Sequence, residues 1–255
     1  MKIASWNVNS LKVRLPQVLE FLRTRQPDVL ALQETKLSDD NFPRAEFEAL
    51  GYHAAFSGQK TYNGVALISR EAPREIITDL PGLDDHQRRI LGACIGPLRV
   101  LNLYVVNGQE VGSDKFDYKL AWLEKVTAFV AEDLKRHPHY LIVGDFNIAP
   151  DDRDVYDPEA WRERILCSTP EREALRRLLD LGFTDCFRHL HPDERQYSWW
   201  DYRAAAFRRN LGLRIDLILA SEPLLPGCVG AAIDVEPRRW ERPSDHAPVS
   251  AEFRP

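Results

Sequence analysis

YLIVGDFN, residues 140–147, decides the fold class of this chain, because a continuous hydrophobic run leads directly into a polar turn. Such a run, without alternation of polar and apolar residues, is typical of a strand that is buried on both faces of its sheet. Before it, hydrophobic residues recur at helical spacing from Phe116 through Leu123 to Leu134. A long helix followed by a doubly buried strand indicates an α/β protein.

The same alternation of helix and strand continues towards both ends of the chain. Segments 76–107 and 213–253 contain more closely spaced strands than a simple series of βαβ units, so we expect a mixed sheet, or two sheets packed face to face with helices outside. No linker-like segment interrupts the pattern, and we predict one domain over residues 1–255. The other predicted strands are 2–8, 28–34, 64–69, 98–105, 213–221 and 247–253, and the other predicted helices are 16–25, a short one around Trp161, and 171–181 closed by Gly182.

The composition excludes several classes of protein. The chain is 44% hydrophobic with a net charge of −5, which is not the composition of a disordered protein. It has no apolar run of membrane-spanning length, and its start, MKIASWNVNSLKVR, lacks the apolar core of a signal peptide, so we expect a cytoplasmic protein without membrane contact. The four cysteines lack CxxC spacing, which favours free thiols over a zinc site or a disulfide framework.

Polar side chains lie near the ends of several predicted strands, where the site of an α/β sheet usually forms. Each has a simpler interpretation when taken alone: Glu34 as a solvated turn residue, Asp145 as a turn cap, and His246 as a surface histidine. Asp216 is harder to explain, because a carboxylate in an apolar strand is costly unless it is paired, for example with Arg214. The residues near strand ends are Asn7, Glu34, Tyr104, Asp145, Asn147, Asp245 and His246.

The acidic and amide side chains of this set predict a site for a hard cation. Their oxygen atoms suit Mg²⁺ or Mn²⁺ rather than zinc. Magnesium commonly keeps several waters and uses only one or two protein carboxylates. Glu34, with Asn7 or Asp245 nearby, would therefore suffice to hold it.

The remaining side chains have the chemistry that hydrolysis of a phosphodiester requires. Asp145 is suited to accept a proton from the attacking water, and Asn147 can orient that water. His246 can hold a phosphate oxygen, while Asp216 would fix its tautomer and favour its charged form.

The sequence resembles a known family. Eight motifs occur in order along nearly the whole chain, and together they are similar to the exonuclease III family of abasic-site endonucleases, within the endonuclease/exonuclease/phosphatase superfamily. A single short motif such as GDFN would be weak evidence, whereas the ordered set is specific. The motifs are SWNVNSL (5–11), LQETK (32–36), YNGVALISR (62–70), NLYVVNG (102–108), GDFN (144–147), SWWDYR (198–203), LRIDLILAS (213–221) and SDHAPV (244–249).

The resemblance implies a four-layer α/β sandwich in which two packed mixed β-sheets are flanked by helices. It also implies Mg²⁺ as the cofactor, with Mn²⁺ able to substitute, and Glu34 as its principal ligand. Tyr104 would approach the scissile phosphate. Many relatives have proline where this sequence has Val106, and we expect the valine to leave Tyr104 in place. The resemblance assigns Asn7 and Asp245 to the metal site, Asp145 and Asn147 to the attacking water, and Asp216 and His246 to the phosphate.

Residues 197–217, YSWWDYRAAAFRRNLGLRIDL, bear on the substrate, because aromatic rings between arginines suit a nucleic-acid surface. The negative net charge counts against a polyanionic partner unless a local basic patch exists. The alternative is a core tryptophan pair beneath a solvated basic loop. The aromatic residues are Trp199, Trp200, Tyr202 and Phe207, and the arginines are Arg203, Arg208, Arg209 and Arg214.

By resemblance, Trp199 would form a wall of a pocket for a flipped-out, baseless sugar, with Leu213 and Ile215 as further walls. A pocket too small for a base would select abasic sites, where flipping breaks no base pair. The candidates for contacts to the DNA backbone are Lys36, Asn63, Arg203 and Arg209.

The sequence thus predicts a monomeric DNA-repair phosphodiesterase. Its expected substrate is double-stranded DNA with abasic sites or 3′ ends, cut 5′ to the abasic site, with additional 3′–5′ exonuclease or 3′-phosphatase activity. A hydrolase of non-DNA phosphoesters is one alternative, against which residues 197–217 argue. A DNA-binding protein without catalysis is another, and it would lack at least one of Glu34, Asp145, Asp216 and His246.

Overall fold

Fourteen strands and six α-helices make up the computed structural model, which describes residues 1–83 and 85–254. The strands are β1 (Lys2–Asn7), β2 (Val29–Gln33), β3 (His53–Ser57), β4 (Val65–Ser69), β5 (Arg74–Ile77), β6 (Ile90–Ile95), β7 (Leu98–Tyr104), β8 (Tyr140–Asp145), β9 (Phe183–Asp185), β10 (Trp199–Trp200), β11 (Gly212–Leu213), β12 (Asp216–Ser221), β13 (Cys228–Ile233) and β14 (Val249–Phe253). The helices are α1 (Leu11–Arg25), α2 (Arg44–Glu48), α3 (Asp114–Arg136), α4 (Pro158–Trp161), α5 (Thr169–Leu179) and α6 (Cys186–Leu190).

Two six-stranded sheets dominate the fold. The first has the order β13-β14-β1-β2-β4-β3, and the second has the order β5-β6-β7-β8-β12-β9. Each contains one central parallel pair, β1–β2 or β7–β8, and antiparallel neighbours. Both sheets are therefore mixed, as predicted.

The period-2 pattern of the central strands shows how the layers pack. In β1, Ile3 contributes to the core between the two sheets, whereas Trp6 on the opposite face packs with the residues of α1. In β8, Val143 faces the same intersheet core and Ile142 packs with the apolar face of α3. Helices thus cover the outer face of each sheet, and the predicted four-layer sandwich is confirmed.

The start of α3 follows a capping residue, whereas the start of α1 differs from the prediction. The hydroxyl of Ser113 accepts a hydrogen bond of 3.2 Å from the backbone N–H of Phe116 and caps α3, which begins at Asp114, just before the helical apolar pattern that starts at Phe116. Helix α1 starts at Leu11 rather than at Pro16, which lies inside it. Proline is common in a first helical turn, and this preference made the predicted start too late.

Two other boundaries differ from the prediction. The strand expected over 213–221 is divided into β11 and β12, because Arg214 leaves the ladder to pair with Asp154 and Asp185. Helix α5 ends at Leu179, and Gly182 adopts its positive φ of 106° three residues later. Gly182 therefore serves the turn into β9 rather than capping the helix.

The state of the cysteines and the apolar character of the helices bear on two expectations drawn from the composition. All four cysteines are free and buried. Within residues 1–83 and 85–254, no helix combines the length and the apolar character that a bilayer crossing requires.

Candidate active site

The sheet topology brings the sequence-predicted residues to one end of the sandwich. Asn7 ends β1 and Glu34 follows β2, and these two strands are parallel. In the second sheet Tyr104 pairs with Asp145 across the parallel ladder, and Asp216 pairs with Asp145 across the antiparallel one. Since an antiparallel strand begins where its neighbour ends, Asp216 reaches the same edge from the start of β12.

Asn7 links the carboxylates of the two sheets. Its amide nitrogen donates to Glu34 Oε1 at 2.8 Å and to Asp145 Oδ2 at 2.9 Å, while its Oδ1 accepts the backbone N–H of Asn9 at 3.0 Å. In this arrangement Asn7 positions the carboxylates of Glu34 and Asp145 and offers them hydrogen atoms. In this geometry Asn7 therefore contributes to the predicted metal site by orienting these two carboxylates.

His246 lies between two carboxylates in the floor of the site. Its Nδ1 is 2.8 Å from Asp216 Oδ2, and its Nε2 is 3.7 Å from Asp145 Oδ2. Burial alone would lower the pKa of His246, but the negative charges of Asp216 and Asp145 outweigh it and raise the pKa to about 10. His246 is consequently a cation at neutral pH.

For Asp145 the effect of burial on the pKa outweighs that of the neighbouring positive charge. Burial raises its pKa to about 7, the nearby His246 cation opposes that rise, and the negative charge of Asp216 adds to it. A carboxylate with a pKa near neutrality is well matched to proton transfer at neutral pH. Asp145 is therefore the candidate for the general base.

Tyr104 and Asn147 complete the wall of the site on the second sheet. Burial, together with the negative charge of Glu34, raises the pKa of Tyr104, so that its hydroxyl stays protonated as a donor. The guanidinium of Arg89 lies 4.5 Å from the centre of the Tyr104 ring. Asn147 is held by its side chain, whose Nδ2 donates to Val105 O at 2.9 Å, and by its N–H, which donates to Asp145 Oδ1 at 2.9 Å.

Strained backbone surrounds the carboxylates. Glu34, Lys36 and Asn63 have positive φ values of 52°, 55° and 54°. Such conformations in residues other than glycine persist when surrounding contacts enforce them, and they are concentrated at functional sites. Here the backbone N–H of Lys36 donates to the carbonyl of Asn63 at 2.9 Å, which joins the loops after β2 and before β4.

Gly144 in the GDFN motif is required by a close approach of two strands. Its φ is 144°, and a Cβ atom there would lie 1.9 Å from the carbonyl oxygen of Leu103. Only glycine lets β8 lie this close to β7 just before Asp145.

Asp245 is fixed by two donors. Asn9 Nδ2 donates to its Oδ1 at 3.1 Å, and Trp199 Nε1 donates to its Oδ2 at 2.9 Å. Lys36 connects this group to the carboxylate centre, because its Nζ lies 2.6 Å from Asn9 Oδ1 and 3.2 Å from Glu34 Oε2. Trp199 thus holds Asp245 directly through its ring N–H, in addition to the place in the pocket wall that is predicted for it.

The donor set fits a metal ion. Ligand atoms of Glu34 and Asp145 lie within 4.8 Å of each other and of His246, which as a cation offers no free nitrogen to a metal. Carboxylates gathered this closely repel each other, and the raised pKa of Asp145 reflects that repulsion in part. A divalent cation would relieve it, and the carboxylate oxygens are those that hard cations prefer.

The candidate DNA surface is only partly as predicted. Arg203 and Arg209 are exposed, although Arg203 forms a bidentate pair with Asp201. Trp200 and Arg214 are buried, with exposures of 2% and 1%, so the alternative of a core tryptophan holds for Trp200. Trp199 is half-buried, whereas Leu213 and Ile215, with exposures of 0% and 1%, pack behind it. Their role as pocket walls stays a prediction.

Three residues that organise the site were not predicted from the sequence. Asn9 bridges Lys36 and Asp245, and its signal was the repeated asparagine in NVN. The hydroxyl of Ser198 accepts the backbone N–H groups of both Ile215 and Asp216 at 3.0 Å. Lys119 is fully buried, and a lysine among the apolar positions of a predicted helix was its signal.

The chain is similar to known proteins over its whole length. The model of the endonuclease/exonuclease/phosphatase family matches residues 4–246, so the chain belongs to that family. It is 39% identical to exodeoxyribonuclease III of Haemophilus influenzae over the full length of both chains.

The chain is also similar to two solved structures. The 3′ phosphatase NExo from Neisseria, solved with a product DNA hairpin, is 51% identical, with a TM-score of 0.98 and coverage of 100% of this chain and 99% of that chain. An AP endonuclease from Archaeoglobus fulgidus is 40% identical, with a TM-score of 0.96 and coverage of 99% of each chain. The predicted resemblance is confirmed.

Proposed function

We propose that this protein is a metal-dependent phosphodiesterase of DNA that acts in repair. One observation carries the proposal: Asp145, a carboxylate with a pKa raised to about 7, lies 3.7 Å from a histidine that is kept cationic by Asp216. A base for water and a fixed positive charge for the phosphate are thereby held side by side.

Each residue has a distinct task in the proposed hydrolysis. Asp145 takes the proton of the attacking water, which Asn147 orients. His246 donates a charged hydrogen bond from Nε2 to a phosphate oxygen and stabilises the negative charge that develops in the transition state, while Asp216 holds Nδ1. The protonated hydroxyl of Tyr104 donates to another phosphate oxygen.

The metal would lie beside Glu34, with Asp245 and Asn7 completing the surroundings. We propose Mg²⁺, which Mn²⁺ can replace, because both prefer carboxylate oxygens. When bound, the cation neutralises charge on the phosphate and on the leaving oxygen. Asn7 orients Glu34 towards it, and the Lys36 ammonium adds positive charge 3.2 Å from Glu34 Oε2.

The proposed substrate is double-stranded DNA with an abasic site, cut on its 5′ side. Trp199 would contact the baseless sugar, and Lys36, Asn63, Arg203 and Arg209 would contact the backbone. The protein would act as a monomer, as one domain over residues 1–255, in the cytoplasm. The AP endonuclease from Archaeoglobus fulgidus, 40% identical, supports this substrate.

Processing of 3′ ends is a second candidate activity of the same site. The Neisseria structure at 51% identity is a 3′ phosphatase, and the Haemophilus relative is an exodeoxyribonuclease. The same catalytic residues would serve, since a terminal 3′ phosphate and an internal phosphodiester present similar oxygens.

Three end-labelled duplexes would test both candidates: one with a single abasic-site analogue, one with a recessed 3′ phosphate, and one undamaged. Each is incubated with Mg²⁺, Mn²⁺ or EDTA. Metal-dependent incision at the lesion supports the abasic-site proposal, whereas phosphate release or shortening from the 3′ end alone supports the second candidate. Absence of any cleavage with either metal would contradict both.

A further inference from the structure

A second cluster of metal-ligating side chains lies away from the active site. Glu75 in β5, Cys94 in β6 and His137 just after α3 each offer one ligand atom, and these atoms lie within 4.8 Å of one another. At one end of the β6–β7 ladder, Ile90 pairs with the residue that precedes Tyr104. At the other end, Cys94 pairs with Arg99. Four residues of strand separate the two ends by about 13 Å, so the cluster is distinct from the catalytic residues.

The spacing of sulfur and nitrogen fits two ligands of one ion. Cys94 Sγ and His137 Nδ1 are 3.9 Å apart. Zinc bound at ordinary distances to a thiolate and an imidazole in a tetrahedron would hold them about 3.6 Å apart. One ligand atom of each of the three side chains lies within 4.8 Å of the other two. Glu75 lies 3.7 Å from the other ring nitrogen, Nε2, so its exposed side chain would rotate to reach an ion bound at Nδ1.

The backbone directs Glu75 towards this cluster. Glu75 has a positive φ of 49°, and it lies where the register of β5 against β6 shifts between Arg74 and Ile77. A bulge of this kind re-aims a side chain, and its strain is an outlier of the sort that occurs at binding sites. His137 stands at the C-terminus of α3, a helix of 23 residues, where the helix dipole favours a cation.

The neighbouring arginines do not exclude a divalent ion, because their charges are neutralised or screened. Arg99, also 3.8 Å from Cys94 Sγ, is neutralised by Asp133, because its Nε donates to Asp133 Oδ2 at 2.9 Å and both are buried. The side chain of Arg136 is 70% exposed, so water and salt screen its charge. The Cys94 thiolate and the Glu75 carboxylate would then balance two positive charges.

We propose that Glu75, Cys94 and His137 form a zinc site that fastens the edge strand β5 to the end of α3. The thiolate and imidazole select a borderline-soft ion over Mg²⁺, and a water would fill the fourth position. The spacing of cysteines along the sequence did not reveal the site, because its ligands come from three separate elements.

Cobalt(II) is the probe for this site, because thiolate ligation gives an ultraviolet charge-transfer band that an oxygen-ligated active site cannot give. The full chain, stripped of metal and kept in excess Mg²⁺, is titrated with Co²⁺. We expect the band to saturate at one equivalent and to be abolished by one equivalent of Zn²⁺. Cys94→Ser should lose the band, and Glu75→Gln, at an exposed position, should weaken Co²⁺ binding at least tenfold.

The matched control is Cys228→Ser, because Cys228 has the same 6% exposure as Cys94 and lies elsewhere. The control should keep the full band. The proposal is overturned if the wild type gives no thiolate band, if the band survives Cys94→Ser in a folded protein, or if Cys228→Ser removes it. Equal Co²⁺ affinity of Glu75→Gln and the wild type would also contradict the ligand set.

Discussion

Lys119 Nζ donates a hydrogen bond of 2.7 Å to the backbone carbonyl oxygen of Asn147, the residue proposed to orient the attacking water. Lys119 also pairs with the buried carboxylate of Glu171. Glu171 in turn accepts the backbone N–H groups of Leu166 and Ser168. A buried ion pair thus joins α3 and α5 to the loop that carries Asn147.

We predict that Lys119→Met destabilises the protein by about 3–5 kcal/mol, because it leaves Glu171 as a buried, unpaired charge. It should also lower kcat more than it changes KM, since Asn147 loses the donor that holds its carbonyl. Chemical denaturation and steady-state cleavage of the preferred duplex measure the two effects.

The double variant Lys119→Met/Glu171→Gln separates stability from positioning. Removing the second charge should restore much of the stability while kcat stays low. Recovery of kcat together with stability would show that Lys119 has only a structural role.

Asp216→Asn tests the electrostatic support of His246. The wild-type imidazole should titrate near pH 10 and remain charged at every pH below that, because Asp216 and Asp145 outweigh the effect of burial. Removing the Asp216 charge should move the titration of His246 to lower pH and reduce kcat about 100-fold or more. NMR titration of the histidine ring in metal-free protein measures the first effect, and an unchanged titration would contradict this account.

Trp199→Phe tests the hold on Asp245. The variant keeps an aromatic ring but loses the N–H that lies 2.9 Å from Asp245 Oδ2. Loss of such an outer contact to a carboxylate that holds a metal, the role proposed for Asp245, weakens metal affinity roughly 10- to 100-fold, so the Mg²⁺ concentration for half-maximal activity should rise accordingly. Trp200→Phe, which loses a bond to Asn210 instead, should leave that concentration unchanged.

Arg209→Ala tests the candidate DNA surface. An exposed arginine that contacts a phosphate contributes about one unit to the salt dependence of binding. The variant should therefore raise KM and reduce the slope of log affinity against log salt by about one, with kcat little changed. Arg177→Ala, exposed on α5, is the control and should alter neither quantity.

The sequence predicted the fold and the polar centre because both depend on short patterns. Strands such as β1 and β8 carry their apolar runs and their terminal polar residues within a few positions, and the parallel pairing of neighbours then brings Asn7, Glu34 and Asp145 to one edge.

Contacts between distant segments could not be predicted in the same way. Whether Arg214 pairs with Asp216 or with Asp154 depends on a break in the ladder that no local pattern specifies. Lys119 and Glu171 are 52 positions apart, and only the packing of α3 on α5 shows that they meet.

The most direct test of the central claim is cleavage of the three labelled duplexes by Asp145→Asn. This variant keeps the shape of Asp145 but removes its capacity to accept a proton. We predict that Mg²⁺-dependent hydrolysis of the preferred duplex falls by at least about 100-fold, while the variant unfolds at a similar temperature and still binds the duplex. Hydrolysis by the variant at a rate close to that of the wild type would contradict the role of Asp145 and with it the proposed mechanism.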